Sequence, residues 1–393
     1  MSRRFLFVVP PLTGHVNPTI AVADALRSRG HEVAWVGHPR RVKPLLPEGA
    51  TLIALDDGVS DEVWRPVLDR ARAVRGLESF EFLWDEVLIP LARGMIPGVE
   101  RAIRETRPDV VVVDHQALGG ALACRKMNAR WATLATTSAS VIDPFADLPK
   151  IREWMESRVS SLMSEAGLAD SRKPDLSPEL VIVFSTRELI GPRGTGSLRS
   201  QTEFPAHFQF VGPSLGRGEN TPFPWDLLRE TKRVLVSLGT VSGEVGEKFF
   251  SVVTDAFKDS SLQVIVVAPS ALVPNAPDNF IVRDRVPQLA LLPKLDAVVC
   301  HAGHNTVCET LAHGLPLVVA PIRDDQPVVA NQVVSAGAGL RVKYGRVSPA
   351  NLRDAVTRVL NEPAFRESAK KIATSFEAAG GARAAADHLE RLS

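Results

Sequence analysis

The chain has 393 residues, a formal net charge of +1, 45% hydrophobic and 23% charged residues, proportions ordinary for a soluble globular protein of about two domains. Near-neutral charge without a basic stripe or an acidic tail argues against nucleic-acid binding. No run of about 18 apolar residues exists to span a membrane.

The first apolar run, Phe5–Val9, follows Arg3-Arg4 as a signal peptide would. It ends at Pro10-Pro11 with no small-residue cleavage site, so it reads as a strand, Arg4–Pro10. Pro11–Val16 reads as a loop. Asn17-Pro18 carries a helix-start signature, Asn as cap and Pro at the first helical position. Ile20, Ala23 and Leu26 make that helix's apolar stripe, and Gly30 stops it. Glu32–Val36 and Thr51–Leu55 are the next strands. Residues 58–98 read as irregular helix, rich in aromatics: Trp64, Phe80, Phe82 and Trp84, with Met95. Pro108–Asp114 is a strand ending in an acid; Ala117–Lys126 is a helix; Trp131–Thr136 is a strand. Ile142–Gly167 is helical, and strands Leu180–Ser185 and Phe208–Val211 close the first half.

Residues 213–224 are rich in Gly, Pro, Asn and Thr and read as a linker. Strand and helix then alternate again. Strands are expected at Arg233–Leu238, Leu262–Ala268, Phe280–Arg283, Asp296–Cys300, Leu317–Ala320 and Leu340–Val342. Helices are expected at Gly246–Lys258 and Ser348–Leu360, and in two further segments up to Leu392. The fold class is therefore α/β, with two doubly wound parallel sheets. The expected division is 1–212, a linker at 213–224, a second domain at 225–376, and a terminal helix at 377–393 packing back on the first domain. Such sheets bind ligands at their carboxyl edge. The loop after the first strand lacks GxGxxG, which counts against a dinucleotide enzyme.

Cys300-His301-Ala302-Gly303-His304-Asn305-Thr306-Val307-Cys308-Glu309 is the most informative stretch. It reads as a buried strand, a tight turn, and a helix starting near Gly303–Asn305 that stops at Gly314. Such a turn offers unpaired backbone N–H groups and a positive dipole end, which suit a phosphate. His301, Asn305 and Thr306 add side-chain donors. The three cysteines, Cys124, Cys300 and Cys308, have no metal spacing and read as reduced core thiols, hence a cytoplasmic protein. Asp324-Asp325 lacks clustered co-ligands, so no metal is expected.

Thr13-Gly14-His15-Val16-Asn17-Pro18, Ser237-Leu238-Gly239-Thr240 and the span from Arg285-Val286-Pro287-Gln288 to Asp325-Gln326, with its His-x-Gly-x-Asn-Thr-x-x-Glu core, appear in one order and spacing. Together they make the chain resemble a GT-B nucleotide-sugar glycosyltransferase of the UDP-glycosyltransferase superfamily, most similar to bacterial natural-product and macrolide enzymes. The resemblance implies two Rossmann-like domains facing across a cleft, acceptor on the first and donor on the second. It implies inverting transfer from a UDP- or dTDP-linked sugar to a hydroxyl of a small, largely apolar acceptor, without cofactor or metal. A homodimer is compatible with it.

By this resemblance His15 is the general base, a task imidazole suits near neutral pH. Asp114 is its carboxylate partner; the alternative is a helix cap. Ser237, Gly239 and Thr240 lie near the diphosphate or sugar, or serve only as turn residues. His301, Gly303, Asn305 and Thr306 hold the diphosphate, Glu309 the ribose, and Asp325 with Gln326 the sugar hydroxyls. Many relatives have Trp-x-Pro-Gln where this chain has Arg285-Val286-Pro287-Gln288; Arg285 replaces the stacking tryptophan, and the Val286 backbone would pair with the base edge. The aromatics around Trp64 and Trp84, with Phe145 and Trp154, line an acceptor pocket or fill a core. The alternatives are transfer to a lipid-linked precursor, nucleotide-sugar epimerisation, and a catalytically silent auxiliary protein.

Overall fold

In the computed structural model, which describes residues 2–55, 67, 70, 74, 76–142, 148–168, 173–191, 204–216, 221–239 and 246–393, two parallel sheets organise two units. The first unit comprises Met1–Thr186, Pro192–Gly216 and Ala379–Ser393; the second comprises Arg187–Gly191 and Arg217–Ala378.

The first sheet contains β1 (Arg4–Val8), β2 (Glu32–Gly37), β3 (Thr51–Ala54), β4 (Val110–Asp114), β5 (Trp131–Ala135), β6 (Val181–Val183) and β7 (Phe208–Phe210), in the order β3-β2-β1-β4-β5-β6-β7. Its central strands are apolar runs because helices cover both faces: Val110–Val113 and Leu134–Ala135 are buried throughout. The strand order reverses between β1 and β4, which pair with Val8 opposite Val113. At such a switch point the two outgoing loops diverge and leave a crevice.

The second sheet repeats the plan. It contains β8 (Arg233–Ser237), β9 (Gln263–Val267), β10 (Phe280–Arg283), β11 (Ala297–Cys300), β12 (Leu317–Val319) and β13 (Gly339–Arg341), ordered β10-β9-β8-β11-β12-β13. Its switch point lies between β8 and β11, where Ser237 is level with Cys300.

Several element boundaries differ from the sequence expectation. The first helix spans Thr13–Ser28, so Thr13–Val16 is its first turn rather than a loop. Leu12 occupies the cap position, Asn17 caps nothing, and Pro18 lies inside the helix. Pro18, the sixth residue of this helix, has no N–H to give the Gly14 carbonyl and so removes one bond from the helical ladder. The helix expected to end near Gly98 runs from Ile89 to Thr106. Gly98 is a packing residue: a Cβ there would come within 2.5 Å of the Leu55 side chain. The true stop is Arg107, in the left-handed conformation at φ 45°. Residues Leu83–Leu88 form a π-helical segment, an irregularity that side-chain periodicity does not disclose.

The helix Gly381–Leu392 belongs to the first unit. Its Ala385, Ala386 and Leu389 are fully buried in one cluster with Val22, Ala23 and Leu26 of the first helix. Glu390 accepts from Arg29 at 2.5 Å and pairs with His31 at 2.6 Å. These ion pairs lie at the rim and contribute little; the apolar seam carries the attachment. Leu389→Ala is therefore expected to destabilise the protein by about 2–5 kcal/mol. The urea midpoint measures this, and Glu390→Gln should move it far less.

Candidate active site

The first switch point brings His15 and Asp114 together from 99 positions apart. His15 sits one turn beyond β1, and Asp114 is the last residue of β4. His15 Nδ1 lies 2.9 Å from Asp114 Oδ1 and 3.1 Å from Oδ2. Asp114 is fully buried, while the His15 side chain stays 16% exposed. Burial alone would raise the Asp114 pKa. The charges of His15 and His115, with hydrogen bonds from His15 and Thr136, outweigh that and hold the carboxyl below its ordinary range. An ionised carboxylate only accepts, so Nδ1 carries the imidazole proton and Nε2 keeps its lone pair. Asp114 Oδ1 also accepts the Gln116 N–H at 2.8 Å. The carboxylate thus ties the turn after β4 and pairs with the histidine; the helix Leu118–Met127 has Ala117 at its cap position, so Asp114 is not the helix cap weighed as its alternative role.

Two further side chains complete this cluster. The Thr136 hydroxyl donates to Asp114 Oδ2 at 2.7 Å and lies 2.9 Å from His15 Nδ1. The His115 ring stands 5.3 Å from the His15 ring, centroid to centroid, with its Nδ1 3.7 Å from Asp114 Oδ1. Both side chains are buried, and no local pattern in the sequence singles out Thr136. Thr136 directly follows β5, the strand beside β4. Only the strand order, which no local pattern carries, makes that position adjacent.

The second switch point holds His301. Its ring lies between two glycines: a Cβ on Gly239 would stand 2.6 Å from His301 Cε1, and one on Gly303 2.5 Å from Nε2. Gly239 needs its φ of +74°, and Ala302 adopts φ 66°, rare for a residue with a Cβ. Burial pushes the His301 pKa down to about 4 despite nearby Asp325 and the Ser237 backbone, both of which favour protonation. The ring is neutral at pH 7. Nδ1 is enclosed and makes no well-formed hydrogen bond, although the Ser237 backbone lies close by. The Ser237 hydroxyl accepts the Gly239 N–H at 3.4 Å, tying off the turn.

The helix His304–Ala312 starts here with Gly303 at its cap. Asn305 and Thr306 fall in its first turn, and His304 turns away to lie 3.4 Å from Cys308 Sγ. Glu309, one turn on, accepts from Gln288 Nε2 at 2.5 Å. The structure thus joins the Arg285–Gln288 segment to this helix. Arg285 is exposed, and Val286 is anchored in the core. Asp325 occupies the position just before the helix Gln326–Ser335, without a side-chain capping bond. Gln326 is buried, and its amide oxygen accepts the backbone N–H groups of Ile322 and Arg323 at 2.9 and 3.1 Å. Its oxygen therefore shapes the loop that presents Asp325, where Asp324 is held at φ 55°. Thr240 lies outside the described residues, as do Trp64 and Phe145.

The family model of UDP-glucoronosyl and UDP-glucosyl transferases matches residues 229–377, the span that holds this turn. NDP-glycosyltransferase YjiC of Bacillus subtilis is 28% identical over 97% of this chain and 95% of its own length. The 4'-demethylrebeccamycin synthase of Lentzea aerocolonigenes is 27% identical over the full length of both. The crystal structure of the kitacinnamycin glycosyltransferase superposes with a TM-score of 0.78 at 24% identity, covering 100% of this chain and 99% of that one.

The chain is a glycosyltransferase with the GT-B fold, and its residues 229–377 match the UDP-glucoronosyl and UDP-glucosyl transferase family. Its sugar donor is a nucleotide diphosphate sugar, and natural-product glycosyltransferases are among its relatives. An epimerase or a catalytically silent protein, both open on sequence alone, is set aside. No helix among the described residues is long and apolar enough to cross a membrane.

The aromatics weighed for an acceptor pocket divide in this glycosyltransferase. Phe82 is buried and Met95 belongs to the core. Phe80 stands 6.2 Å from Trp84 and 6.1 Å from Trp154, all three partly exposed beside the π-helical segment. All three cysteines are buried thiols.

Proposed function

We propose that this glycosyltransferase inverts the anomeric centre of a UDP- or dTDP-linked sugar, using a hydroxyl of a small, largely apolar acceptor as nucleophile. The observation that carries this reading is the His15–Asp114 pair at 2.9 Å on the first switch point. His15 Nε2 takes the acceptor proton as the oxygen attacks. Asp114 fixes the tautomer and stabilises the imidazolium that forms. One base and one direct displacement invert configuration.

The donor diphosphate is assigned to the turn at His301–Thr306. The neutral His301 ring donates to it, Gly303 permits close backbone approach, and the first-turn N–H groups with Asn305 and Thr306 supply the rest. Spreading the leaving charge over these donors is transition-state stabilisation that requires no metal. Glu309, oriented by Gln288, takes the ribose hydroxyls. Asp325 takes sugar hydroxyls, with Gln326 holding its loop. Arg285 lies flat against the base in place of an indole. The partly exposed Phe80, Trp84 and Trp154 offer an apolar face to the acceptor. A soluble, cytoplasmic enzyme follows from the buried reduced thiols and from a soluble nucleotide-sugar donor.

Calorimetric titration with UDP, dTDP and GDP in EDTA tests the donor half. UDP or dTDP is expected to bind selectively, and at about a hundred times its Kd to stabilise the protein by roughly 2.7 kcal/mol. Glu309→Ala should weaken binding about tenfold or more, as loss of hydrogen bonds to a charged group does. Binding of none of the three would remove the donor assignment.

A further inference from the structure

The cluster around Asp114 holds more nitrogen and oxygen donors than proton transfer requires. His15 and His115 both turn Nδ1 toward the same carboxylate, at 2.9 and 3.7 Å. Thr136 Oγ1 lies 2.9 Å from His15 Nδ1, 3.4 Å from His115 Nδ1 and 2.7 Å from Asp114 Oδ2. Ligand atoms about 2.0–2.1 Å from a tetrahedral ion stand roughly 3.3 Å from each other. These five separations, 2.7–3.7 Å, bracket that value, and the ligand atoms of His15, Asp114 and His115 all lie within 4.8 Å of one another. Among the described residues, no other three histidine, cysteine or acidic side chains bring ligand atoms within 4.8 Å of one another.

We propose that His15, Asp114 and His115, with Thr136 at the fourth position, form an inhibitory site for a borderline divalent cation such as Zn2+ or Cu2+. Two imidazoles and one carboxylate select these ions over Mg2+ and Ca2+, which prefer shells of oxygen. An ion coordinates the rings in their neutral form, and with the Asp114 carboxylate they then present a charge of −1, opposite to the ion. The partly exposed His15 edge is the side of entry, since Asp114 and His115 are buried.

Coordination balances without net proton release. The ion takes the Nδ1 lone pair of each ring, so both neutral rings carry their proton on Nε2 in the complex, and the proton that His15 held on Nδ1 moves there. The Thr136 O–H gives up its bond to Asp114 and coordinates through oxygen. His15 then presents an N–H where it had presented a lone pair, so it can no longer accept a proton from an acceptor. This consequence rests on the reading of His15 as the base; the site itself does not.

The test titrates the full chain with ZnCl2 alone, by calorimetry in a non-chelating buffer, and records the electron paramagnetic resonance spectrum of the CuCl2 complex. One ion per chain and coupling to two nitrogens are expected. The three cysteines do not compete, since all are buried and burial pushes their thiols up. His115→Phe and His115→Asn should each weaken Zn2+ binding by roughly 10–100-fold or more. Two variants of different size separate loss of a ligand from loss of the fold, which thermal melting reads. In parallel, transfer is measured against ZnCl2, each protein relative to its own metal-free rate, and the inhibition midpoint should shift with the binding constant. No binding, or binding unchanged in both variants, overturns the site and leaves the base assignment standing. Binding that depends on His115 but leaves transfer unaffected sustains the site and overturns His15 as base.

Discussion

His15→Ala is expected to lower transfer to an alcohol acceptor by about 10²–10⁴-fold, the usual contribution of a positioned general base. The loss should fall on kcat, because the proton moves only as the acceptor attacks. UDP or dTDP affinity should stay within about twofold, since His15 lies on the first unit and the donor turn on the second. Asp114→Asn makes a second arm with a distinct signature. Its amide can donate to Nδ1, which drives the ring proton onto Nε2 and removes the lone pair. That variant keeps the histidine and still loses rate. Its own cost to folding is read separately, because the carboxylate also accepts the Gln116 N–H and the Thr136 hydroxyl. Full activity in His15→Ala would remove the base assignment.

Gly303→Ala is expected to weaken nucleotide binding by about 10–150-fold, equivalent to losing one charge-assisted hydrogen bond of about 1.5–3 kcal/mol. The backbone tolerates the change, because Gly303 sits at φ −61°, ψ 133°, open to any residue. Its added Cβ would stand 2.5 Å from His301 Nε2, closer than non-bonded atoms approach. The ring must move, and it is held on its other side by Gly239. The variant therefore displaces the neutral donor without deleting it. Calorimetry with UDP and dTDP should show the loss, while the melting temperature shifts little. Unchanged affinity would mean that His301 does not touch the diphosphate.

Both doubly wound sheets were legible in the sequence, and for one reason. Strands covered on both faces are unbroken apolar runs such as Val110–Val113 and Ala297–Cys300, and Gly or Pro punctuates them. The turn at His301 was legible for a related reason, since a strand, a glycine and a helix start lie within ten residues. The start of the first helix was not. Asn17 and Pro18 mimic a cap, but helix length is settled by packing: Val16 is already fully buried within the first turn. Gly98 misled in the same way, since a close approach to Leu55 looks like a stop signal in one dimension. Thr136 and His115 gained their neighbours from the order β1-β4-β5, a fact about the whole sheet. The stretch Gly76–Leu88 was least legible, because an α-helical part passes into a π-helical one and follows no single period.

The proposed reaction is direct displacement by an acceptor that His15 deprotonates, without metal. The most direct measurement is the anomeric configuration of the product, made in EDTA from an α-linked UDP- or dTDP-sugar and read from its H1–H2 coupling. A β-linked product from the wild-type chain, absent with His15→Ala, is the expected result. An α-linked product would require a second displacement or a different attack geometry, and would contradict the account.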